Sequence, residues 1–65
     1  MEIIINGSSR SGEFGNVAEL LQQEDLTPQT VVVELNGKIL PAADYATTRL
    51  QNGDTVEIVQ FVAGG

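Results

Sequence analysis

The apolar positions of this chain fall into short blocks of two different periods, separated by breaks rich in Gly, Asn and Ser. The first block, Glu2-Ile3-Ile4-Ile5-Asn6, is β-branched and stops at Asn6-Gly7. β-Branched side chains suit a pleated strand and Asn-Gly marks a turn, so this block predicts a strand. Residues 7–15 carry Ser and Gly with Phe14 as the single apolar anchor, which predicts a turn and a short, weak second strand. The period then changes. Val17, Leu20 and Leu21 stand at i, i+3 and i+4, the stripe of an amphipathic helix. Asn16 can cap that helix and Glu19 sits three residues on, as in a capping box. Thr27-Pro28 is read as its end, because proline disfavours helix at the preceding residue and has no N–H to donate. The expected helix is two to three turns long.

Strand patterns return at residues 30–35 and at Lys38-Ile39-Leu40, with Asn36-Gly37 between them. Two strand-like runs around Asn-Gly predict a hairpin, since both turn positions need positive φ. Residues 41–50 read as an irregular connection with a helical turn near 44–47. Asn52-Gly53-Asp54 is a further turn, and residues 55–62 form the longest strand pattern before Ala63-Gly64-Gly65. Hairpins at both ends of a single helix predict an α+β fold rather than a repeating βαβ array. The expected architecture is a mixed sheet of four to five strands with one main helix packed across it. Residues 1–65 read as one domain with a flexible tail at 63–65.

Alternation assigns faces to the strands. Glu57 carries charge and is placed in water, so Val56 and Ile58 face the core while Val59 and Phe61 share the outer face. The same parity sends Val32 and Glu34 outward against Val31, Val33 and Leu35. It also sends Glu2 and Ile4 outward against Ile3 and Ile5. If these strands are neighbours, Ile4, Val32, Val59 and Phe61 gather into one exposed apolar patch leading to the tail. A contiguous patch marks an interface. Phe61 is the expected anchor, with Val62 and Ala63 continuing the partner-binding surface towards the end of the chain.

Composition narrows the function. Nine acidic residues against three basic ones give a formal net charge of −6. Neutralising phosphates needs clustered Lys and Arg, and Arg10, Lys38 and Arg49 are scattered, so nucleic acid and anionic membranes are not expected partners. A protein with a basic docking face is. No apolar run approaches the ~20 residues of a membrane span, and Met1 to Asn6 lacks the pattern of a signal peptide. The expected location is the cytoplasm. With no cysteine there are no disulfides and no thiolate metal sites.

Catalytic groups are scarce. Histidine and cysteine are both absent, which removes most nucleophile–base pairs and the common transition-metal ligands. Glu24-Asp25 reads as solvated charge. Gly12 and Gly15 lack the lysine and spacing of a phosphate loop. That leaves the Gly64-Gly65 end, a pair that chance produces about once in two hundred dipeptides at ~7% glycine. A terminal carboxylate is ionised and unreactive at neutral pH until it is converted to a species with a good leaving group. Two residues without Cβ can thread a narrow catalytic channel.

The stretch Leu50-Gln51-Asn52-Gly53-Asp54, continued by Val56-Glu57-Ile58-Val59-Gln60-Phe61-Val62-Ala63-Gly64-Gly65, closely resembles the ThiS family of thiamine-biosynthesis sulfur carriers. Val17-Ala18-Glu19-Leu20-Leu21, Glu34-Leu35-Asn36-Gly37 and Ala46-Thr47-Thr48-Arg49-Leu50 match as well, so the likeness covers nearly the whole chain. The resemblance implies a ubiquitin-like β-grasp fold and a protein that is a co-substrate rather than an enzyme. It implies that a ThiF-like adenylyltransferase uses ATP to adenylate the Gly65 carboxylate, with no cofactor bound by this chain itself. Sulfur from a cysteine desulfurase would then give a thiocarboxylate at Gly65, and a ThiG-like thiazole synthase would accept that sulfur. The Ser- and Gly-rich segment from Ser8 to Gly12 departs from the family pattern and puts the sheet edge in question. Two other readings remain open at this point. One is the small subunit of molybdopterin synthase, or another ubiquitin-like sulfur carrier or protein modifier; the other is a non-catalytic β-grasp interaction module.

Overall fold

A computed structural model describes residues 1–61 of the chain. Its elements run β1 (Glu2–Ile5), β2 (Ser8–Ser11), α1 (Val17–Gln23), β3 (Val31–Leu35), β4 (Lys38–Leu40) and β5 (Thr55–Gln60), with 3-10 turns at Pro28–Thr30 and Ala42–Asp44. The strands form a single sheet in the order β2-β1-β5-β3-β4. The central pair, β1 and β5, is parallel, and the other neighbours are antiparallel. Two hairpins flank one helix and the first and last strands lie side by side at the centre of a mixed sheet. That is the ubiquitin-like β-grasp.

One apolar layer holds this arrangement together. Val17, Leu20 and Leu21 of α1 pack with Ile3, Ile5, Val31, Val33, Val56 and Ile58 of the sheet, and Phe14, Tyr45 and Leu50 close its rim. The strand faces follow the expected parity at Ile3, Ile5, Val31, Val33, Val56 and Ile58, all buried. Leu35, at the end of β3, is only partly buried against this layer. Among the described residues no charged or polar side chain is buried. Nor is any described helix long and apolar enough to cross a membrane.

Both predicted hairpins form at Asn-Gly. Asn36 and Gly37 adopt φ of 52° and 85°, and Asn6 and Gly7 adopt 48° and 83°, the paired positive values of a type I′ turn. The segment expected to make a weak second strand makes a complete one. β2 pairs with β1 at four consecutive positions, from Glu2 opposite Ser11 to Ile5 opposite Ser8. All four of its residues are exposed. Its strength comes from backbone pairing and from Arg10, which forms an ion pair with Glu24 at the far end of α1.

The helix starts as expected and ends earlier. Glu19 N–H donates to Asn16 Oδ1 at 2.8 Å, and Asn16 N–H donates to Glu19 Oε1 at 3.3 Å, which completes the capping box. Thr27-Pro28 does not end α1. Asp25 adopts φ of 60°, Asp25 N–H donates to Gln22 O, and Leu26 N–H donates to Leu21 O at 2.8 Å. This is a Schellman closure with Asp in the left-handed position that Gly usually takes. Pro28 instead opens the following 3-10 turn.

Asn6 does more than turn the chain. β1 ends at Ile5, but the Asn6 carboxamide continues its pairing: Ile58 N–H donates to Asn6 Oδ1 at 2.7 Å, and Asn6 Nδ2 donates to Ile58 O at 3.2 Å. The side chain thus replaces one residue of strand beside β5. Asn6→Ala leaves both Ile58 groups without that partner and places a Cβ-bearing residue with no local hydrogen bond at positive φ. The expected loss is about 2–3 kcal/mol, a fall in Tm of about 10 °C or more. Thermal unfolding followed by circular dichroism measures it. Asn6→Gly keeps the backbone relaxed while still lacking the amide, so it recovers only the backbone share of the loss.

Candidate functional site

The face of the sheet turned away from α1 has no covering layer among the described residues. Three of the predicted docking residues meet there. Val32 stands directly opposite Val59 across the β3–β5 ladder. Val59 is 61% exposed, and Phe61 on the same parity is 46% exposed. Phe61 N–H donates to Thr30 O at 3.0 Å, so pairing with the start of β3 carries through to the last described residue.

Ile4 shares this face but not this patch. The parallel register sets it opposite Thr55. Val59 lies four residues further along β5, about 13 Å away, with Glu57 between them. β1 cannot supply a neighbour for Val59 because the chain turns back at Asn6-Gly7. Parity placed Ile4 on the correct face, and register removes it from the cluster.

A residue that sequence reasoning overlooked extends the patch on the other side. Ile39, 70% exposed, pairs with Glu34 and so lies on the outer face of β4. The two-residue turn at Asn36-Gly37 pairs Leu35 with Lys38 and therefore Glu34 with Ile39, so the hairpin signal already contained this position. The same ladder sets Glu34 opposite Glu57. The outer face thus holds two carboxylates side by side, bordered by Val32, Val59 and Ile39, with Phe61 nearest the tail.

The remaining predicted residues, Val62, Ala63, Gly64 and Gly65, lie outside the described residues. Within residues 1–61 the fold offers no enclosed pocket and no group of three His, Cys, Asp or Glu side chains able to hold a metal ion. The described body therefore provides a scaffold and an exposed face, and β5 is the element that precedes the Gly-Gly end in the sequence.

Comparison with known proteins places this architecture in a family. The family model described as the ThiS family matches residues 3–65. The sulfur carrier protein ThiS of Escherichia coli is 32% identical over 66 residues, with 100% of both chains covered. A thiazole synthase of Paramagnetospirillum magneticum is 36% identical over 66 residues, covering 100% of this chain but 20% of that protein, so the chain spans about a fifth of that relative's length. Among solved structures, the crystal structure of the thiamine biosynthesis protein ThiS from Geobacter metallireducens superposes with a TM-score of 0.84 at 35% identity, covering 100% of each chain. The chain belongs to the ThiS family.

Proposed function

We propose that this chain is a sulfur carrier for thiazole formation in thiamine biosynthesis, acting through the carboxylate of Gly65. What carries the reading is the full-length likeness to a sulfur carrier ThiS, which extends through the Gly64-Gly65 end. The likeness to part of a thiazole synthase supports that enzyme class as the sulfur acceptor.

The chemistry follows from what a carboxylate lacks. It is a poor electrophile, so a ThiF-like adenylyltransferase joins it to the α-phosphate of ATP and releases pyrophosphate. The resulting acyl-adenylate has AMP as its leaving group. The persulfide that a cysteine desulfurase supplies attacks the acyl carbon and expels AMP. A thiol reductant then cleaves the S–S bond of the resulting acyl disulfide, is itself oxidised to a disulfide, and leaves a thiocarboxylate at Gly65. Thiocarboxylate sulfur is a stronger nucleophile than carboxylate oxygen, which suits it to donation to a ThiG-like thiazole synthase. ATP is the activating partner's substrate, and the carrier itself binds no cofactor. The cytoplasm, where these partners would operate, is the proposed location.

In this scheme the outer face docks the activating enzyme while the tail enters its catalytic channel. Val32, Val59 and Phe61 form the apolar part of that contact, with Val62 and Ala63 leading to the reacting end. Intact-mass measurement tests the proposal. Incubated with the cognate adenylyltransferase, ATP, a cysteine desulfurase, cysteine and a thiol reductant, the chain gains the mass of one oxygen-to-sulfur exchange, and omitting ATP prevents it. An unchanged mass in the complete mixture overturns the proposal.

A further inference from the structure

Glu34 and Glu57 stand directly across the β3–β5 ladder on the exposed face. Directly opposed side chains have their Cβ atoms about 5 Å apart, and like charges in that position destabilise a sheet. This chain does nothing to relieve the repulsion. It has three basic residues, and each lies off this face. Arg10 is opposite the buried Ile3, so it projects to the helix side, where it pairs with Glu24. Lys38 is opposite Leu35 and falls on the inner parity of β4. Arg49 bridges Asn16 beside the start of α1. Residues 62–65 contain no basic side chain.

The surroundings of the pair are apolar on the tail side and along β4, and polar on the other side, where Asn36 Oδ1 accepts from Thr55 N–H and Asn36 Nδ2 donates to Asp54. Val32 and Val59 form the next row towards the tail, and Ile39 flanks Glu34 on β4. Two carboxylates bordered by three exposed aliphatic side chains offer a strong seat for one cation, because apolar neighbours exclude water as a partner settles. A guanidinium fits better than an ammonium, since its planar fork can hydrogen-bond both carboxylates at once.

We propose that Glu34 and Glu57 together receive one arginine from the protein that takes up the Gly64-Gly65 end, and that docking relieves a repulsion carried by the free fold. The inference rests on the outer face being the docking face. It adds the chemistry the partner must present: a guanidinium set among apolar side chains.

The test combines affinity for the cognate adenylyltransferase, measured by titration calorimetry, with Tm of the free carrier. Glu57→Lys replaces the repulsion by a cross-strand attraction to Glu34, so Tm rises by a few degrees. The same change sets a cation against the partner's arginine, and affinity falls about ten- to a hundredfold. Glu34→Gln and Glu57→Gln each move both quantities in the same directions by smaller amounts. Glu13→Lys, which makes the same charge change away from the sheet face, leaves affinity within about twofold. A higher Tm with unchanged affinity for Glu57→Lys overturns the proposal, as does an equal loss for Glu13→Lys. Phe61→Ser separates this failure from failure of the docking reading. If it weakens binding while the glutamate variants do not, the face docks without the arginine; if none of them weakens binding, the face is not the dock.

Discussion

Removing Gly65 abolishes thiocarboxylate formation and leaves the folded body unchanged. The chain contains no histidine or cysteine, and the described residues hold no buried polar side chain and no candidate metal cluster, so the terminal carboxylate is the group left to carry activated sulfur. Deleting Gly65 sets it one residue short, on Gly64. Residue 65 lies beyond Phe61, the last described residue, and as glycine it has no side chain to bury. The truncated chain should therefore match the full chain in Tm and circular dichroism while gaining no sulfur in the complete activating mixture. A truncated chain that still acquires one sulfur in place of oxygen shows that the Gly65 position of the carboxylate is not required. Extending the tail by one alanine after Gly65 is an independent check. Like the deletion it keeps a terminal carboxylate, but moves it one residue, about 3.3 Å, the other way, so the two variants together test how strictly the position of the carboxylate is required.

The second large effect is a contrast within one strand. Val56 is 0% exposed between Ile5 of β1 and Leu35 of β3, whereas Phe61 ends the same run on the outer face. Val56→Ser removes apolar contact and buries a hydroxyl, at a cost of about 2–4 kcal/mol. A domain of this size has only about 3–10 kcal/mol of stability in total, so much of the variant unfolds near physiological temperature. Phe61→Ser removes an aromatic already half in water and leaves Tm nearly unchanged. It weakens association with the activating enzyme by about 2 kcal/mol, the threshold of a docking hot spot, or roughly thirtyfold. Chemical denaturation and titration calorimetry on the two variants read both effects. Unfolding of Phe61→Ser beside a stable Val56→Ser would mean that β5 is inside out.

Much of this fold was legible because it depends on interactions only a few residues apart. The Asn36-Gly37 turn needs positive φ at two adjacent positions, and Asn and Gly are the residues that reach it cheaply. The cap of α1 needs a side-chain acceptor at Asn16 and a carboxylate three residues on. Strand faces follow from a period of two, so one charged residue, Glu57, orients the whole of β5. The Gly-Gly end and the scarcity of other reactive groups equally needed no structure to be read.

What local pattern could not supply was the alignment of segments distant in the chain. The end of α1 depended on whether Asp25 would accept a left-handed conformation, and the return of Leu26 to the core decided it against the nearer signal at Pro28. β2 has no apolar side chain to recommend it as a strand, yet β1 offers it a complete row of backbone partners. Asn6 looks like a turn residue, and only the arrival of Ile58, fifty-two positions later, makes its amide part of the sheet. Ile4 and the Glu34–Glu57 pair show the same division most sharply. Parity is a property of each strand alone, so the chain by itself determined which side chains leave the core. Register is set by hydrogen bonds between strands, so only the tertiary structure decided that Ile4 stands apart from Val59 and that two carboxylates meet on the open face.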